Sequence, residues 1–67
     1  MLTIKRIIKE IDNPHLNLYK CDGYFYFSYD DGVTYETYAV FTYRLNSLTL
    51  QQWKDEASSF MGAIDLI

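Results

Sequence analysis

A run of aromatic and β-branched residues between Gly23 and Tyr43 limits this chain to folds built on a β-hairpin. The run reads GYFYFSYDDGVTYETYAVFTY, and residues 24–29 and 33–43 both have the composition of strands on a half-buried sheet. Between them lies the sequence Asp-Asp-Gly at residues 30–32. The glycine can take a positive φ without a Cβ clash, and the aspartates can accept hydrogen bonds from nearby N–H groups. The sequence therefore predicts one long hairpin.

The register of this hairpin decides which side chains share a face, since successive residues of a strand point to opposite sides. A two-residue turn at residues 31–32 pairs Phe27 with Glu36 and places a carboxylate among phenylalanines, where an unpaired charge is costly. A three-residue loop at residues 30–32 instead pairs Phe27 with Tyr35. We favour the second register because it leaves the carboxylate in solvent.

In that register the hairpin has one apolar and one amphipathic face. The apolar face comprises Phe25, Phe27, Tyr29, Val33, Tyr35, Ala39 and Phe41. The opposite face comprises Tyr24, Tyr26, Ser28, Thr34, Glu36, Tyr38 and Thr42. Tyrosine combines rigid contact area with a polar tip, so tyrosines on an uncovered face favour a binding surface. Cross-strand tyrosines also stabilise an exposed sheet that has no partner, and the sequence leaves this alternative open.

The segment before the hairpin has the pattern of a short amphipathic helix followed by a strand. Its isoleucines recur at i, i+3, i+4 and i+7, namely Ile4, Ile7, Ile8 and Ile11. Pro14 disfavours helical geometry in the residue before it, so this helix should end by about Asp12. Residues 16–21 alternate well enough for a first strand, and Asp22-Gly23 is a hairpin turn signal. The three strands then form an antiparallel meander.

A second helix is predicted after a loop that follows the hairpin. Thr49 is its N-cap, Gln52 completes a capping box, and Leu48 can pack on Trp53 as a hydrophobic staple. The buried stripe of this helix consists of Leu50, Trp53, Ala57, Phe60, Met61 and Ile64. Gly62 is the predicted C-cap.

Both helices need an apolar surface, and the hairpin offers one on the face of Phe25, Phe27 and Tyr35. We therefore predict an α+β fold, α-β-β-β-α, with a three-stranded antiparallel meander and both helices on that face. The length of 67 residues allows a single domain, 1–67, whose core only just suffices for stability. Residues 63–67, beyond the second helix, are expected to fray or dock.

The net charge of −3 is unevenly distributed along the chain. Residues 1–20 carry four bases and two acids, whereas residues 21–67 carry two bases and seven acids. Nucleic acid binding needs clustered bases, so direct contact with nucleic acid is disfavoured, and the acidic part favours a basic protein partner. The chain shows no secretory signal and no apolar run long enough for a membrane, and its single cysteine allows no internal disulfide. We expect a cytoplasmic protein.

Residues that support catalysis or metal binding are scarce. His15 and Cys21 are the only histidine and cysteine, which is too few for a zinc site. The chain contains no phosphate-binding loop, no dinucleotide-binding glycine motif, no nucleophile elbow and no HExxH motif. Glu36 is the only acid within the aromatic strands, and the favoured register places it in solvent. A non-enzymatic protein without metal or cofactor is expected.

Residues 23–53, GYFYFSYDDGVTYETYAVFTYRLNSLTLQQW, resemble a pattern seen in small proteins of bacteriophages and of prophages in Gram-negative bacteria. This run contains no catalytic motif. The resemblance implies a class of small accessory proteins that often bind and block a host enzyme or defence complex, anti-CRISPR proteins among them.

Three functions from different classes follow from these patterns. The leading hypothesis is a protein-binding module, of the phage inhibitor type, that docks on a larger, basic host protein and acts by steric occlusion. Its predicted contact residues are Tyr19, Tyr24, Tyr26, Asp30, Asp31, Glu36 and Tyr38. The second is a structural or assembly protein in which the same face joins copies of the chain, for example in a homodimer. The third is a binder of nucleotides or single-stranded nucleic acid that stacks bases on the tyrosines, although the charges oppose it.

Overall fold

The computed structural model describes residues 1–65, which form one helix, three antiparallel strands and a second helix. The elements are α1 (Ile4–Ile11), β1 (Leu16–Cys21), β2 (Tyr24–Asp30), β3 (Tyr35–Val40) and α2 (Leu50–Asp65), with a 3₁₀ turn at Leu45–Ser47 before α2. The strands form one sheet in the order β1-β2-β3. Neither helix in this part of the chain is long and apolar enough to cross a membrane. The predicted α-β-β-β-α fold with a three-stranded meander is confirmed.

Side-chain caps fix the starts of both helices. The Thr3 hydroxyl oxygen accepts a hydrogen bond from the N–H of Arg6 at 3.1 Å, at the start of α1. At the start of α2, the Thr49 hydroxyl accepts from the N–H of Gln52 at 3.1 Å, while Gln52 Oε1 accepts from the N–H of Thr49 at 2.8 Å. These reciprocal bonds are the predicted capping box. The predicted end of α1 is also confirmed, because Asp12 caps it in the left-handed region with φ 58°.

The end of α2 differs from the prediction, since the helix continues through Gly62 to Asp65. Gly62 does not have a positive φ and is therefore not a left-handed C-cap. Ile64, in the next turn, packs against the core, and this contact offsets the cost of about 1 kcal/mol for glycine inside a helix. Fraying or docking of residues 66–67 lies outside the described residues.

Both helices cover the same face of the sheet, as predicted, and Trp53 lies at the centre of the contact. Its side chain is fully buried, and its ring meets Phe25 and Phe27 edge-on with centroid distances of 5.4 and 6.1 Å. The indole Nε1 donates to the backbone oxygen of Leu45 at 2.7 Å. Among the described residues the buried apolar core consists of Ile7, Leu16, Leu18, Phe25, Phe27, Val40, Trp53, Ala57 and Phe60.

The register of β2 against β3 is neither of the two weighed from the sequence. Phe27 lies opposite Tyr38 and Tyr29 lies opposite Glu36, so the connection between the strands is the four-residue loop 31–34. This register differs by two residues from the register with a two-residue turn, which was rejected above. Because side chains alternate with a period of two, both registers assign each side chain to the same face. The two-residue offset places Glu36 near the end of the sheet, where its side chain is exposed. The cost of burying its carboxylate, for which that assignment of faces was rejected, is therefore absent.

Asp31 accounts for the longer loop. Its Oδ1 accepts from the N–H groups of Val33 at 2.9 Å and Thr34 at 2.7 Å, and its Oδ2 accepts from the Tyr29 hydroxyl at 2.9 Å. The backbone N–H groups of Thr34 and Val33, together with the Tyr29 hydroxyl, lower the pKa of Asp31 to about 2. These bonds hold Val33 and Thr34 in the loop, where Val33 is 94% exposed instead of buried as predicted. Gly32 has the predicted positive φ, of 88°.

The predicted faces of β3 are consequently exchanged. Tyr35, expected over the core, lies on the face away from the helices, whereas Glu36 and Tyr38, expected on that uncovered face, lie on the helix side. Tyr38 stacks on Phe60 of α2 with ring centroids 5.6 Å apart and planes 18° apart. Its hydroxyl donates to Glu56 Oε2 at 2.9 Å, and this bond to the carboxylate raises the pKa of Tyr38. Placing Glu36 and Tyr38 on the uncovered face was therefore wrong.

The strand β3 also ends earlier than predicted, at Val40. Val40 lies opposite Phe25 and is buried, so it takes the core position that the sequence assigned to Ala39 and Phe41. The N–H of Thr42 then donates to the backbone oxygen of Val40 at 2.9 Å. This turn ends the strand and leaves Phe41 85% exposed.

Candidate protein-binding surface

The face of the sheet opposite the helices is the candidate functional site, and we call it the open face. Tyr19, Tyr24 and Tyr26 lie on it, as predicted, and Tyr35 joins them from β3. By alternation along the strands its side chains are those of Asn17, Tyr19, Cys21, Tyr24, Tyr26, Ser28, Asp30, Tyr35, Thr37 and Ala39. Phe41, directly after β3, joins them through its ring contact with Tyr24.

The aromatic side chains of the open face contact one another. Tyr19 and Tyr26 are direct cross-strand neighbours, with ring centroids 5.2 Å apart. The rings of Tyr24 and Phe41 have centroids 5.9 Å apart. The exposed fractions of Tyr19, Tyr35 and Phe41 are nevertheless 46%, 64% and 85%. The open face therefore presents two contacting aromatic pairs, and the ring of Tyr35 beside them, to solvent.

A shallow depression lies on the open face across β2 and β3. Its volume is about 330 Å³, and its lining residues are Tyr24, Tyr26, Tyr35, Thr37 and Ala39. Ala39 lies directly opposite Tyr26 in the sheet, so a small side chain stands between larger rings. A depression of this shape suits a protruding side chain of a protein partner.

The hydroxyl groups at the centre of the open face are protonated at neutral pH. The neighbouring Cys21 side chain, through a hydrogen bond and an electrostatic interaction, raises the pKa of Tyr24. Burial raises the pKa of Tyr26. Both tyrosines can therefore donate as well as accept hydrogen bonds at an interface.

Two predicted site residues, Asp30 and Asp31, lie at one end of the open face. Asp30 pairs with Tyr35, and its Oδ1 accepts from the N–H of Gly32 at 3.0 Å. Asp31 holds the loop together through the bonds given above. Both aspartates thus have a structural role in the turn, and within residues 1–65 neither forms an ion pair with a base. Their charges remain exposed to a partner.

The remaining chemical groups of the chain do not converge on this surface. His15 packs edge-on against the ring of Tyr29 at one end of β1, with centroids 6.0 Å apart. Cys21 is the last residue of that strand and lies opposite Tyr24. Histidine and cysteine are thus held apart and do not form a nucleophile and base pair. In the described part of the chain no three His, Cys, Asp or Glu residues are placed to hold a metal ion.

Sequence reasoning missed Tyr35 and Phe41 as members of the candidate site. The useful signal was the aspartate at position 31, whose side chain can bond the N–H groups two and three residues later and so delay the start of a strand. When β3 is counted from Tyr35, alternation places Tyr35 on one face and Val40 on the other. The burial of Val40 then follows naturally.

Comparison with known proteins finds no matching family model, no similar curated protein and no similar solved structure. What this protein does has to be inferred from the open face and from the charges around it.

Proposed function

We propose that this protein is a non-enzymatic protein-binding module whose open face docks on a larger protein. The exposure of aromatic side chains on one face of the sheet carries the proposal, since Tyr19, Tyr35 and Phe41 are 46%, 64% and 85% exposed. Protein interfaces are enriched in aromatic residues, and tyrosine supplies rigid contact area at a low cost in conformational entropy. Docking would cover this surface with apolar and hydrogen-bonding groups of the partner.

The charges around the open face favour a basic partner. The net charge is −3, Asp30 and Asp31 border the face, and its strand residues include neither lysine nor arginine. An arginine or lysine of the partner would lie against a tyrosine ring and near the aspartates. The same lack of bases counts against binding of single-stranded nucleic acid, because phosphates require cations.

On this proposal the partner is a host defence protein or complex, and the chain is a phage-encoded inhibitor that occludes a functional surface. This part of the proposal starts from the resemblance to small phage proteins that the sequence of residues 23–53 suggests, which the comparisons with known proteins do not test. Support comes from the construction of the domain, in which Trp53 and the core hold a rigid sheet behind the aromatic surface. A rigid binder can block an enzyme or a complex without performing any chemistry.

Capture experiments with matched tyrosine variants test this proposal. The immobilised wild-type protein, the double variant Tyr26→Ser/Tyr35→Ser and the control Tyr43→Ser are each exposed to an extract of a bacterial host. Tyr43 is 79% exposed but lines a groove with Leu45, away from the open face. We expect a partner that the wild type and the control retain and that the double variant loses. The purified partner should then lose activity when the wild-type protein is added in equal amount.

A folded double variant that captures the same partner as the wild type would contradict the proposal. Far-ultraviolet circular dichroism and the unfolding midpoint establish whether each variant is folded. Both substitutions lie on the uncovered face, so we expect a smaller loss of stability than a core substitution causes, with the half-buried Tyr26 contributing most of it.

Self-association through the open face is the second candidate function, and the exposure of Phe41 favours it. A dimer would bury Phe41 and enlarge the core of a very small domain. Light scattering during size exclusion measures the mass directly. A dimer that Phe41→Ser converts to a monomer would support this candidate, whereas a monomeric wild type at micromolar concentration would exclude an obligate dimer.

A further inference from the structure

The outer edge of β3 is a second surface that is open to a partner. β3 pairs with β2 alone in the sheet. In an antiparallel strand, alternate residues point their N–H and C=O groups away from the neighbouring strand, so this edge presents unpaired groups to solvent. Apart from the sheet ladder, the backbone of β3 makes one hydrogen bond within residues 1–65, which Val40 accepts from Thr42 at the end of the strand. An edge of this kind can receive an added strand.

A cleft borders this edge where α2 passes over β3. Its volume is about 240 Å³, and it is lined by Glu36, Thr37, Tyr38, Phe60, Ala63 and Ile64. The walls are mainly apolar. Glu36 is exposed and forms no hydrogen bond or ion pair with any side chain that the structure describes. Alternate side chains of a strand added to β3 would point to this side of the sheet and reach the cleft.

The charges next to this edge favour a basic occupant. Acidic side chains lie in the loop before β3, on β3 itself and on the α2 turn that packs against it, namely Asp31, Glu36 and Glu56. Lys54, although on α2, lines a groove with Glu10 of α1 instead. A second copy of β3 at this edge would bring acids close to acids, which is unfavourable. A basic segment meets complementary charge.

The opposite edge of the sheet is less suited to the same occupant. β1 carries Lys20, and a lysine on an edge strand resists pairing with another chain. The helix α1, which packs against β1, bears Lys5, Arg6 and Lys9. These bases would repel a basic segment, so the two edges of the sheet differ in charge.

We propose that the outer edge of β3 accepts an extended, basic segment of a protein partner as a fourth strand. An apolar side chain of this segment enters the cleft beside Phe60 and Ile64, and a lysine or arginine two residues along the segment, which points to the same side of the sheet, meets Glu36. Backbone hydrogen bonds supply affinity, while the cleft and the carboxylate select the sequence. This surface uses the helix side of the sheet and its edge, so it does not depend on the function proposed for the open face.

Peptide titrations test the fourth strand directly. The probe is a synthetic decapeptide, added to the ¹⁵N-labelled protein, in which valine and lysine take turns at every second position and threonine fills the positions between them, so that valine and lysine share one face. The charge control is the same peptide with glutamate in place of lysine. We expect saturable shifts of the amide signals of residues 35–40 and 60–64 with the lysine peptide. The glutamate peptide should leave these signals unchanged. Absence of saturable shifts, or shifts confined to β1, would overturn the proposal.

Charge reversal at Glu36 tests the role of its carboxylate. Glu36→Lys should weaken binding of the lysine peptide about tenfold or more, as expected for the loss of a close charge pair at an interface. The matched control is Asp22→Lys, which changes the net charge equally at the opposite end of the sheet. Equal weakening by both variants would show a general charge effect and would contradict the proposal.

N-methylation of the peptide tests whether it binds as a strand. Two versions of the lysine peptide carry N-methyl groups at odd or at even positions, so that each version removes one of the two sets of backbone donors. Strand addition requires that one version loses binding and the other keeps it, because only alternate N–H groups face β3. Binding of both versions, or of neither, would refute a fourth strand. The variant Tyr19→Ser, which alters the open face on β1 at the far side of the sheet, should bind the peptide normally, which separates this surface from the open face.

Discussion

Replacing Tyr38 with alanine should destabilise the fold more than replacing Tyr35 with alanine. Both tyrosines belong to β3, but they point to opposite sides of the sheet. Tyr38 is 37% exposed and stacks on Phe60, whereas Tyr35 is 64% exposed on the open face. The difference in free energy of unfolding between the two alanine variants therefore tests the register of β3.

The magnitudes follow from burial and stacking. Full burial of an aromatic side chain contributes about 1.5–3 kcal/mol, so the buried part of Tyr38 contributes about 1–2 kcal/mol. Its stacking on Phe60 adds about 0.5–1.5 kcal/mol. The bond from its hydroxyl to Glu56 adds little, because both groups are hydrated when the chain unfolds. We expect a loss of about 1.5–3.5 kcal/mol for Tyr38→Ala and about 0.5–1 kcal/mol for Tyr35→Ala.

Urea unfolding at pH 7 measures this difference. The single tryptophan, Trp53, is buried in the core and reports unfolding by its fluorescence. Tyr38→Phe serves as the control, because it keeps the stacked ring and removes only the hydroxyl, so its stability should stay close to that of the wild type. Equal losses for the two alanine variants, or a larger loss for Tyr35→Ala, would refute the register described here.

Three further predictions concern the core, the cap of α2 and the acidic loop. Trp53→Ala should reduce the free energy of unfolding by about 3–5 kcal/mol, comparable to the total for so small a domain, and circular dichroism should show a largely unfolded chain at 37 °C. Thr49→Ala should reduce it by about 0.5–2 kcal/mol in urea unfolding, whereas Thr49→Ser should restore most of the loss. The pKa of Asp31 is about 2 in the fold against an ordinary value of 3.8, so its carboxylate stabilises the fold above about pH 4, and this contribution disappears as the pH falls towards 2. Asp31→Asn should remove that part of the pH dependence, and urea midpoints that fall between pH 4 and pH 2 as steeply as those of the wild type would contradict this explanation.

The features that depend on neighbouring residues could be predicted from the sequence. The capping box of Thr49 and Gln52 acts within one helical turn, and the turn at Asp22-Gly23 fixes the pairing of β1 with β2. The burial of Phe25 and Phe27 follows from the alternation along β2, because the side chains on its other face include the tyrosines Tyr24 and Tyr26. These local signals were sufficient for the fold and for Tyr19, Tyr24 and Tyr26 of the candidate site.

The register of β3 could not be predicted in the same way because its two faces are nearly equal in apolar content. One face carries Tyr35, Thr37 and Ala39, and the other carries Glu36, Tyr38 and Val40. Tyrosine occurs on both buried and exposed faces of sheets, so hydrophobic alternation does not determine which face of β3 is buried. The register is determined by the hydrogen bonds that the Asp31 side chain accepts from the loop backbone. Such bonds depend on conformation and have only a weak signature in the sequence.

Gly62 shows why a single local signal can mislead when packing opposes it. Glycine near a helix end is a frequent C-cap, but here Phe60 stacks beneath Tyr38 and Ile64 packs on the core, so two apolar contacts flank Gly62. Continuing the helix keeps both contacts. The longer helix also places Ala63 and Ile64 beside β3, where they help to line the cleft at its edge.

The strand β3 thus contributes to three different surfaces. The effect of a substitution in β3 therefore depends on the surface to which the replaced side chain belongs. Tyr35 belongs to the open face, Tyr38 supports the packing of α2, and Glu36 lies at the edge cleft. Tyr38 also lines that cleft, so loss of partner binding in Tyr38→Ala would report a weakened fold or a lost cleft wall, and the unfolding midpoint separates the two. Loss in Tyr35→Ser would report contact on the open face, and loss in Glu36→Lys would report pairing at the edge. A partner that is lost with Tyr35→Ser and with Glu36→Lys, while both variants remain folded, would have to span β3 from the aromatic face to the cleft.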